Sequence, residues 1–244
     1  MNIDNNLFQF SPIIDYKYST RFQKWDYNNK EITDTERTEL VSMTNEQIAL
    51  YSEGLSLIHD ELGRIKDYHD DYHDICRVVF SVFLFVIITQ ADCLTAFKYF
   101  LIADKDYDKR YLRGKMKITI NEGFKKLYGF NKDGRKISEW ARLASIMAHF
   151  PTIIKQQYKI VSFHLEDYSK ASWWKNDRDL EVHYHHVEEL LISRKERINE
   201  SKVAIEFMKL FDALMAVNEF LTNVHNCLHN TLVAKYYRGE IATE

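Results

Sequence analysis

Apolar and polar residues follow the period of an α-helix along almost the whole chain. Phe207, Leu210, Leu214, Val217, Leu221, Val224 and Leu228 step by three and four, a heptad seam that predicts a long C-terminal helix. Ile48, Leu50, Tyr51, Leu55 and Ile58 fall largely on one side of another helix, which Thr44-Asn45-Glu46-Gln47 opens with the pattern of a capping box. A second long helix is expected from about Asp71 to Ala103. Its run Val78–Ile88 is apolar except for Ser81 and reads as a central helix buried on all sides. Asp104-Lys105-Asp106-Tyr107-Asp108 supplies the turn to a third helix that runs to Tyr128, and Gly129 to Gly134 carries the residues of a helix C-cap and loop. Ser138 caps a short helix that ends before Pro151, because a proline pushes the residue ahead of it out of helical geometry. Further helices are predicted from Thr152 to near Ser172 and from Asn176 or Asp177 to about Lys202. Residues 1–34 are rich in Asn, Asp and Tyr without helical period, and read as an extended arm that packs across the bundle. The expected architecture is all-α: a multi-helix up-and-down bundle over residues 35–244 behind a largely irregular N-terminal arm over residues 1–34.

Composition agrees with this picture and narrows the chemistry. Seven Gly and two Pro in 244 residues leave few helix breakers, and the length supports a sizeable core. The formal charge of −3 and pI of about 6.4 give no global nucleic-acid signature, so any RNA contact must come from a local patch. Cys76, Cys93 and Cys227 are odd in number and form no metal-type pair, which argues against a disulfide framework and for a reducing cytoplasm. Met1-Asn2-Ile3-Asp4-Asn5-Asn6 lacks the basic region and apolar core of a secretory signal. Val78–Ile88 is shorter than the roughly 18 residues of a membrane span. A cytoplasmic protein with no membrane partner is expected.

The candidate chemistry lies in Arg178-Asp179-Leu180-Glu181-Val182-His183. Cleaving RNA without a metal needs a base near the ribose 2′-hydroxyl and a cation beside the phosphate that gains charge as the oxygen attacks. Histidine titrates near neutral pH and can take or return the proton; arginine stays charged and offers a planar fork of donors to phosphate oxygens. Asp179 and His183 are four apart and share a helix face, so the carboxylate can orient the imidazole. Arg178 and His183 are five apart and diverge around the axis, which points to a frayed helix start or to two copies of the motif acting together. Arg64 and His69 have the same spacing and Arg142 and His149 a slightly longer one, but only Arg178 is followed by a short polar residue.

In an all-helical chain, this Arg-Asp-x-x-x-His run resembles the signature of the HEPN superfamily, Arg, then Asn, Asp or His, then three residues, then His. The resemblance covers Arg178, Asp179 and His183, within the C-terminal half of the chain. It implies a helical bundle acting as a metal-independent endoribonuclease without a cofactor. It also implies a homodimer whose two motifs form one cleft, often a toxin or antiviral defence effector held by an antitoxin or regulatory protein.

Three other features bear on function. Between Arg113 and Lys136 the basic residues include Lys115, Lys117, Lys125, Lys126, Arg135 and Lys136, set against only Glu122 and Asp133, and these six are the expected RNA contacts. Phe124, Tyr128 and Phe130 are interleaved with them, either to stack on bases or to point into the core. The second feature is the set of helical histidine pairs, His69 with His73 and His225 with His229. With Asp70 or Asp74 as further ligands, and His183, His185 and His186 nearby in sequence, they allow a rival reading as a metal-binding helical-bundle enzyme. Third, the Phe207–Leu228 seam allows a non-catalytic interaction protein that docks a partner along it.

Overall fold

A computed structural model describes residues 31–129, 132–170 and 198–237 of the chain, except for the side chains of 208–212 and 232–237. Among the described residues there is no strand. The helices are α1 (Asp34–Ile65), α2 (Asp71–Ile102), α3 (Asp106–Leu127), the short α4 (Lys132–Lys136), α5 (Glu139–Ile146), a 3₁₀ turn at Met147–His149, α6 (Thr152–Lys170) and α7 (Glu200–Tyr237). The chain is an all-α multi-helix bundle. Short turns join α1 to α2 and α2 to α3, which makes sequential neighbours run antiparallel.

Polar caps fix several helix ends where the sequence places them. The Asp70 carboxylate accepts from the backbone N–H groups of Tyr72 at 2.9 Å and His73 at 3.0 Å, opening α2. The Ser138 hydroxyl accepts from the Ala141 N–H at 3.2 Å and opens α5. The 3₁₀ turn then ends at His149, ahead of Pro151. Gly129 takes the left-handed conformation, φ 81°, that closes α3, and a Cβ there would lie 2.5 Å from the Gly134 carbonyl carbon.

The start of α1 differs from expectation. The capping box is Thr33 with Glu36: the Glu36 N–H donates to the Thr33 hydroxyl at 3.3 Å, and the Thr33 N–H to the Glu36 carboxylate at 2.8 Å. Thr44 lies inside the helix, 4% exposed, and its hydroxyl donates to the Leu40 carbonyl at 2.7 Å, so it caps nothing. Gly134 sits within α4 rather than in a loop. At the other boundary Ile198 and Asn199 are not helical and the Asn199 side chain accepts from the Lys202 N–H at 2.9 Å. Lys202 therefore belongs to α7, and the preceding predicted helix does not reach it.

The core forms around α2, which packs against α1, α3, α5 and α7. Val79, Val82, Phe100 and Leu101 are fully buried, but Ile88, Tyr99 and Ile102 stay 42–50% exposed, so α2 is covered on most sides rather than all. By length and composition α2 is the one described helix that could cross a membrane, and half of its most apolar window is buried inside the bundle. Where α2 meets α3 the backbones approach closely: a Cβ on Gly123 would lie 2.4 Å from Thr89 Cγ2.

α7 runs antiparallel to α2, with Phe207 stacked on Phe97 at 4.2 Å near one end and the Tyr72 hydroxyl bonded to the Leu228 carbonyl at 2.7 Å near the other. The seam residues Phe207, Leu214, Val217, Leu221, Val224 and Leu228 are all buried in this bundle. Each of these described side chains faces its own chain; the Leu210 side chain, the seventh of the predicted seam, lies outside the described residues. Within this apolar contact sits one amide pair: the Asn218 side chain donates to the Gln90 carbonyl oxygen and lies 3.5 Å from the Tyr51 hydroxyl. At the opposite end of α7, Glu200 accepts from Arg37 of α1 at 2.7 Å and from Lys109 of α3, joining three helices through one carboxylate.

Candidate functional site

Arg178, Asp179 and His183, with the neighbouring His185 and His186, lie outside the described residues. The six expected RNA contacts are within them, and α3, α4 and α6 set where each points.

These basic residues do not share one face. On α3, Lys115, Lys125 and Lys126 are exposed. Lys115 carries its ammonium 5.8 Å from the Tyr111 ring centre, Lys125 lies 3.9 Å from Glu122, and Lys126 sits 4.9 Å above Phe85 of α2. Lys117 is 7% exposed and turns toward α7, where it lines a cavity of about 20 Å³ with Arg113, Met116, Ile120, Val203, Glu206 and Phe207. That volume holds about one water. Arg113, on the same side, reaches Glu206 at 3.6 Å. A lysine held in that wall contributes to the α3–α7 contact rather than to an outer surface.

Arg135 of α4 is half-buried and works as a clamp between elements. Its guanidinium donates to the Ser169 hydroxyl at 3.1 Å, lies 3.8 Å from Glu166, and covers the Tyr128 ring at 5.1 Å. Lys136 is exposed, 3.3 Å from Asp133. Of the six, Lys115, Lys125, Lys126 and Lys136 lie exposed at the surface; Lys117 and Arg135 are engaged within the fold.

The aromatics resolve toward the core. Phe124 is 1% and Tyr128 8% exposed, and Phe124 packs against Tyr168 of α6 at 4.9 Å. A ring enclosed in this way cannot receive a base. Phe130 lies outside the described residues.

The histidine pairs are also occupied. The His73 Nδ1 lies 2.7 Å from the Asp70 carboxylate, which already caps α2, and the ring stacks on Tyr68 at 4.6 Å. Asp74, the other expected ligand, pairs with Arg77. His225 and His229 stack at 6.3 Å, His225 also leans on Phe80 at 5.6 Å, and burial pushes the His225 imidazole below the ordinary histidine range. Among the described residues no group of three or more His, Cys, Asp or Glu is placed to hold a metal ion. The metal-enzyme reading needed the two pairs to converge, and they do not form such a group.

One charged cluster carried no signal in the sequence. Arg37, Lys109 and Glu200 are far apart along the chain and meet only because α1, α3 and α7 converge at one end of the bundle. Each also has an ordinary local explanation as part of a solvated helix turn, so spacing alone could not single it out.

Comparison with known proteins returns no relative: no family model matches the chain, and no curated protein or solved structure matches it.

Proposed function

We propose that this chain is a metal-independent endoribonuclease of the HEPN type, acting as a toxin or antiviral defence effector in a reducing cytoplasm. The observation that carries the reading is the run Arg178-Asp179-Leu180-Glu181-Val182-His183 in a chain whose described residues form an all-α bundle. The all-α bundle supports it, because the motif's family is built on helical bundles, and so do three free buried thiols with no disulfide among them.

In this reading His183 takes the proton from the ribose 2′-hydroxyl and returns a proton to the leaving 5′-oxygen. Arg178 stabilises the charge that builds on the phosphate as the 2′-oxygen attacks in line. Asp179, four residues before His183, holds the imidazole in the tautomer that accepts the proton. Attack by the 2′-hydroxyl leaves a 2′,3′-cyclic phosphate on one product and a 5′-hydroxyl on the other, with no metal or cofactor required. Lys115, Lys125, Lys126 and Lys136 are the exposed cations available to hold the RNA backbone. A homodimer supplies the second copy of the motif.

The test is induced expression of the wild type beside His183→Ala and Arg178→Ala, following cell growth and the integrity of total RNA. RNA decay and growth arrest in the wild type, lost in both variants, is the expected result, with a drop in cleavage of roughly 10²–10⁴-fold. Decay products ending in a 5′-phosphate, or equal behaviour of all three proteins, would exclude the mechanism.

A further inference from the structure

α1 and α2 share an outer face turned away from α7. The two helices run antiparallel, with Arg37 donating to the Leu101 carbonyl at one end and Arg77 to the Ile65 carbonyl at the other. Tyr51 of α1 and Gln90 of α2 both turn toward Asn218 of α7. At about 100° per residue, Leu50 and Leu57 lie roughly 100–120° round α1 from Tyr51, and Ile88 lies roughly opposite Gln90 on α2. All three point away from α7, and they are 56%, 67% and 42% exposed. Gly54 faces Ile87, since a Cβ on it would lie 3.5 Å from Ile87 Cδ1. That match sets Leu50 at the height of Ala91 and Leu57 at the height of Leu84, so Ile88 completes one apolar strip between them. The strip has a charged edge. Glu46, Glu53 and Asp60 are exposed, step by seven along α1, and lie beside Leu50 and Leu57 on the side away from α2. Glu46 accepts from the Ser42 hydroxyl at 3.3 Å and Asp60 lies 3.6 Å from His59, but no Lys or Arg among the described residues pairs with these carboxylates.

The geometry points to residues 16–25 of this chain as the occupant. They lie outside the described residues; what selects them is their sequence and the place where the chain enters the fold. Tyr16, Tyr18, Phe22 and Trp25 supply apolar surface, Lys17, Arg21 and Lys24 supply charge, and no acidic residue interrupts them. Ile32 is 7% exposed in the core and Thr33 caps α1, so the chain ahead of them starts beside the first turn of α1. Lengths then set the register. Glu46, Glu53 and Asp60 stand about 20, 30 and 40 Å along α1 from Thr33, at roughly 1.5 Å per residue. An extended chain running back from Thr33 reaches up to about 30 Å at Lys24, about 40 Å at Arg21 and about 50 Å at Lys17. Lys24 therefore meets Glu46, Arg21 meets Glu53 and Lys17 meets Asp60, each with slack of about 10 Å, the breadth of a helix. The aromatic residues between them lie over Leu50, Ile88 and Leu57, an apolar centre with a charged rim. A tether this short gives an effective concentration of about millimolar, which favours this segment over a second copy or a separate protein.

This contact is independent of the ribonuclease reading: it needs neither Arg178 nor His183. The experiment is zero-length carbodiimide cross-linking of the full chain, which joins a lysine amine to a carboxylate only where the two pair, with peptide mass mapping of the monomer band. Links from Lys24 to Glu46 and from Lys17 to Asp60 are expected. Leu50→Asp/Leu57→Asp should lower their yield at least about tenfold and speed tryptic cleavage after Arg21 by a similar factor. Helix content by circular dichroism should not change, because both leucines are exposed. Glu46→Lys/Glu53→Lys/Asp60→Lys should abolish the links, and adding Lys17→Glu/Arg21→Glu/Lys24→Glu should restore them with the polarity reversed. No link between residues 16–25 and the three carboxylates, tryptic cleavage indifferent to the leucine change, or a double reversal that fails to restore links overturns the proposal. Links found only in a dimer band also overturn it, and make a second copy the occupant.

Discussion

Substituting Gly123 by alanine tests the close approach of α2 and α3. In an open helix position the change would stabilise the protein by about 1 kcal/mol through helix propensity. Here the new Cβ falls 2.4 Å from Thr89 Cγ2, against the roughly 3.5–4.0 Å of an ordinary carbon contact. Thr89 has little room to turn, because its hydroxyl donates to the Phe85 carbonyl at 2.9 Å. The helices must move apart by about 1 Å, and Phe124 and Leu127, both 1% exposed on the same stretch of α3, lose packing with them. Overpacking of this kind costs about 1–3 kcal/mol; set against the propensity gain of about 1 kcal/mol, it leaves a net loss of up to about 2 kcal/mol for Gly123→Ala and a fall in melting temperature of up to roughly 8 °C. Thr89→Ser removes the clashing methyl and keeps the hydroxyl bond. Alone it should cost about 1 kcal/mol; in the Gly123→Ala background it should cost nothing or stabilise, a coupling of about 1–2 kcal/mol. Urea denaturation of the four proteins by circular dichroism measures the cycle. Additive effects, or a Gly123→Ala protein more stable than wild type, would refute the reasoning.

The carboxylate of Glu200 ties α1, α3 and α7 together, so Glu200→Gln should leave Arg37 and Lys109 poorly paired and cost about 2–3 kcal/mol, read as a lower denaturation midpoint. Burial pulls the Glu200 carboxyl upward, but the hydrogen bonds from Lys109 and Arg37 outweigh it and hold the group below its ordinary 4.5. A group depressed in this way stabilises fully above about pH 4.5, and the contribution fades as pH falls through the lower folded value, so Glu200→Gln should flatten that part of the acid profile. The cysteines give a third outcome: burial pushes the thiols of Cys76 up to about 11 and Cys227 up to about 12, and Cys93 is fully enclosed. A disulfide reagent at neutral pH should therefore leave the native protein unmodified and titrate three thiols after unfolding; rapid native labelling would contradict this burial.

The helix ends were legible where a polar side chain is the only available cap. Asp70 and Ser138 are short polar residues directly before apolar periodic segments, placed to accept from the first free N–H groups of the helix. Thr44 misled because Thr-x-x-Gln is a capping pattern only when the backbone ahead of it is not already helical, and four residues earlier Leu40 offers a carbonyl instead. The earlier Thr33-Asp34-Thr35-Glu36 shows the same signature with a complete pair of bonds. The seam of α7 was readable because its period is long and regular. The direction of Lys117 was not, since a lysine on the α7 side of α3 looks the same in sequence as one facing water. Phe124 and Tyr128 allowed two readings until the position of α6 was known. The ionic joint at Glu200 and the outer strip of α1 and α2 depend on which helices become neighbours, a property of the packed chain rather than of any local segment.

The amide pair of Gln90 and Asn218 has a consequence for how the bundle chooses one arrangement. A seam built of Val, Leu and Phe is nearly blind to a slide of α7 by one heptad, about 10 Å along α2, because apolar knobs would meet apolar holes again. Asn218 cannot make that slide unnoticed. Displaced so that Phe211 takes its height, it would leave Gln90, 0% exposed, facing hydrocarbon with no acceptor or donor opposite. Tyr51 extends the same requirement to α1. One polar layer thus acts as a vernier for three long helices: it adds little to how strongly they adhere, and fixes at which height they stop.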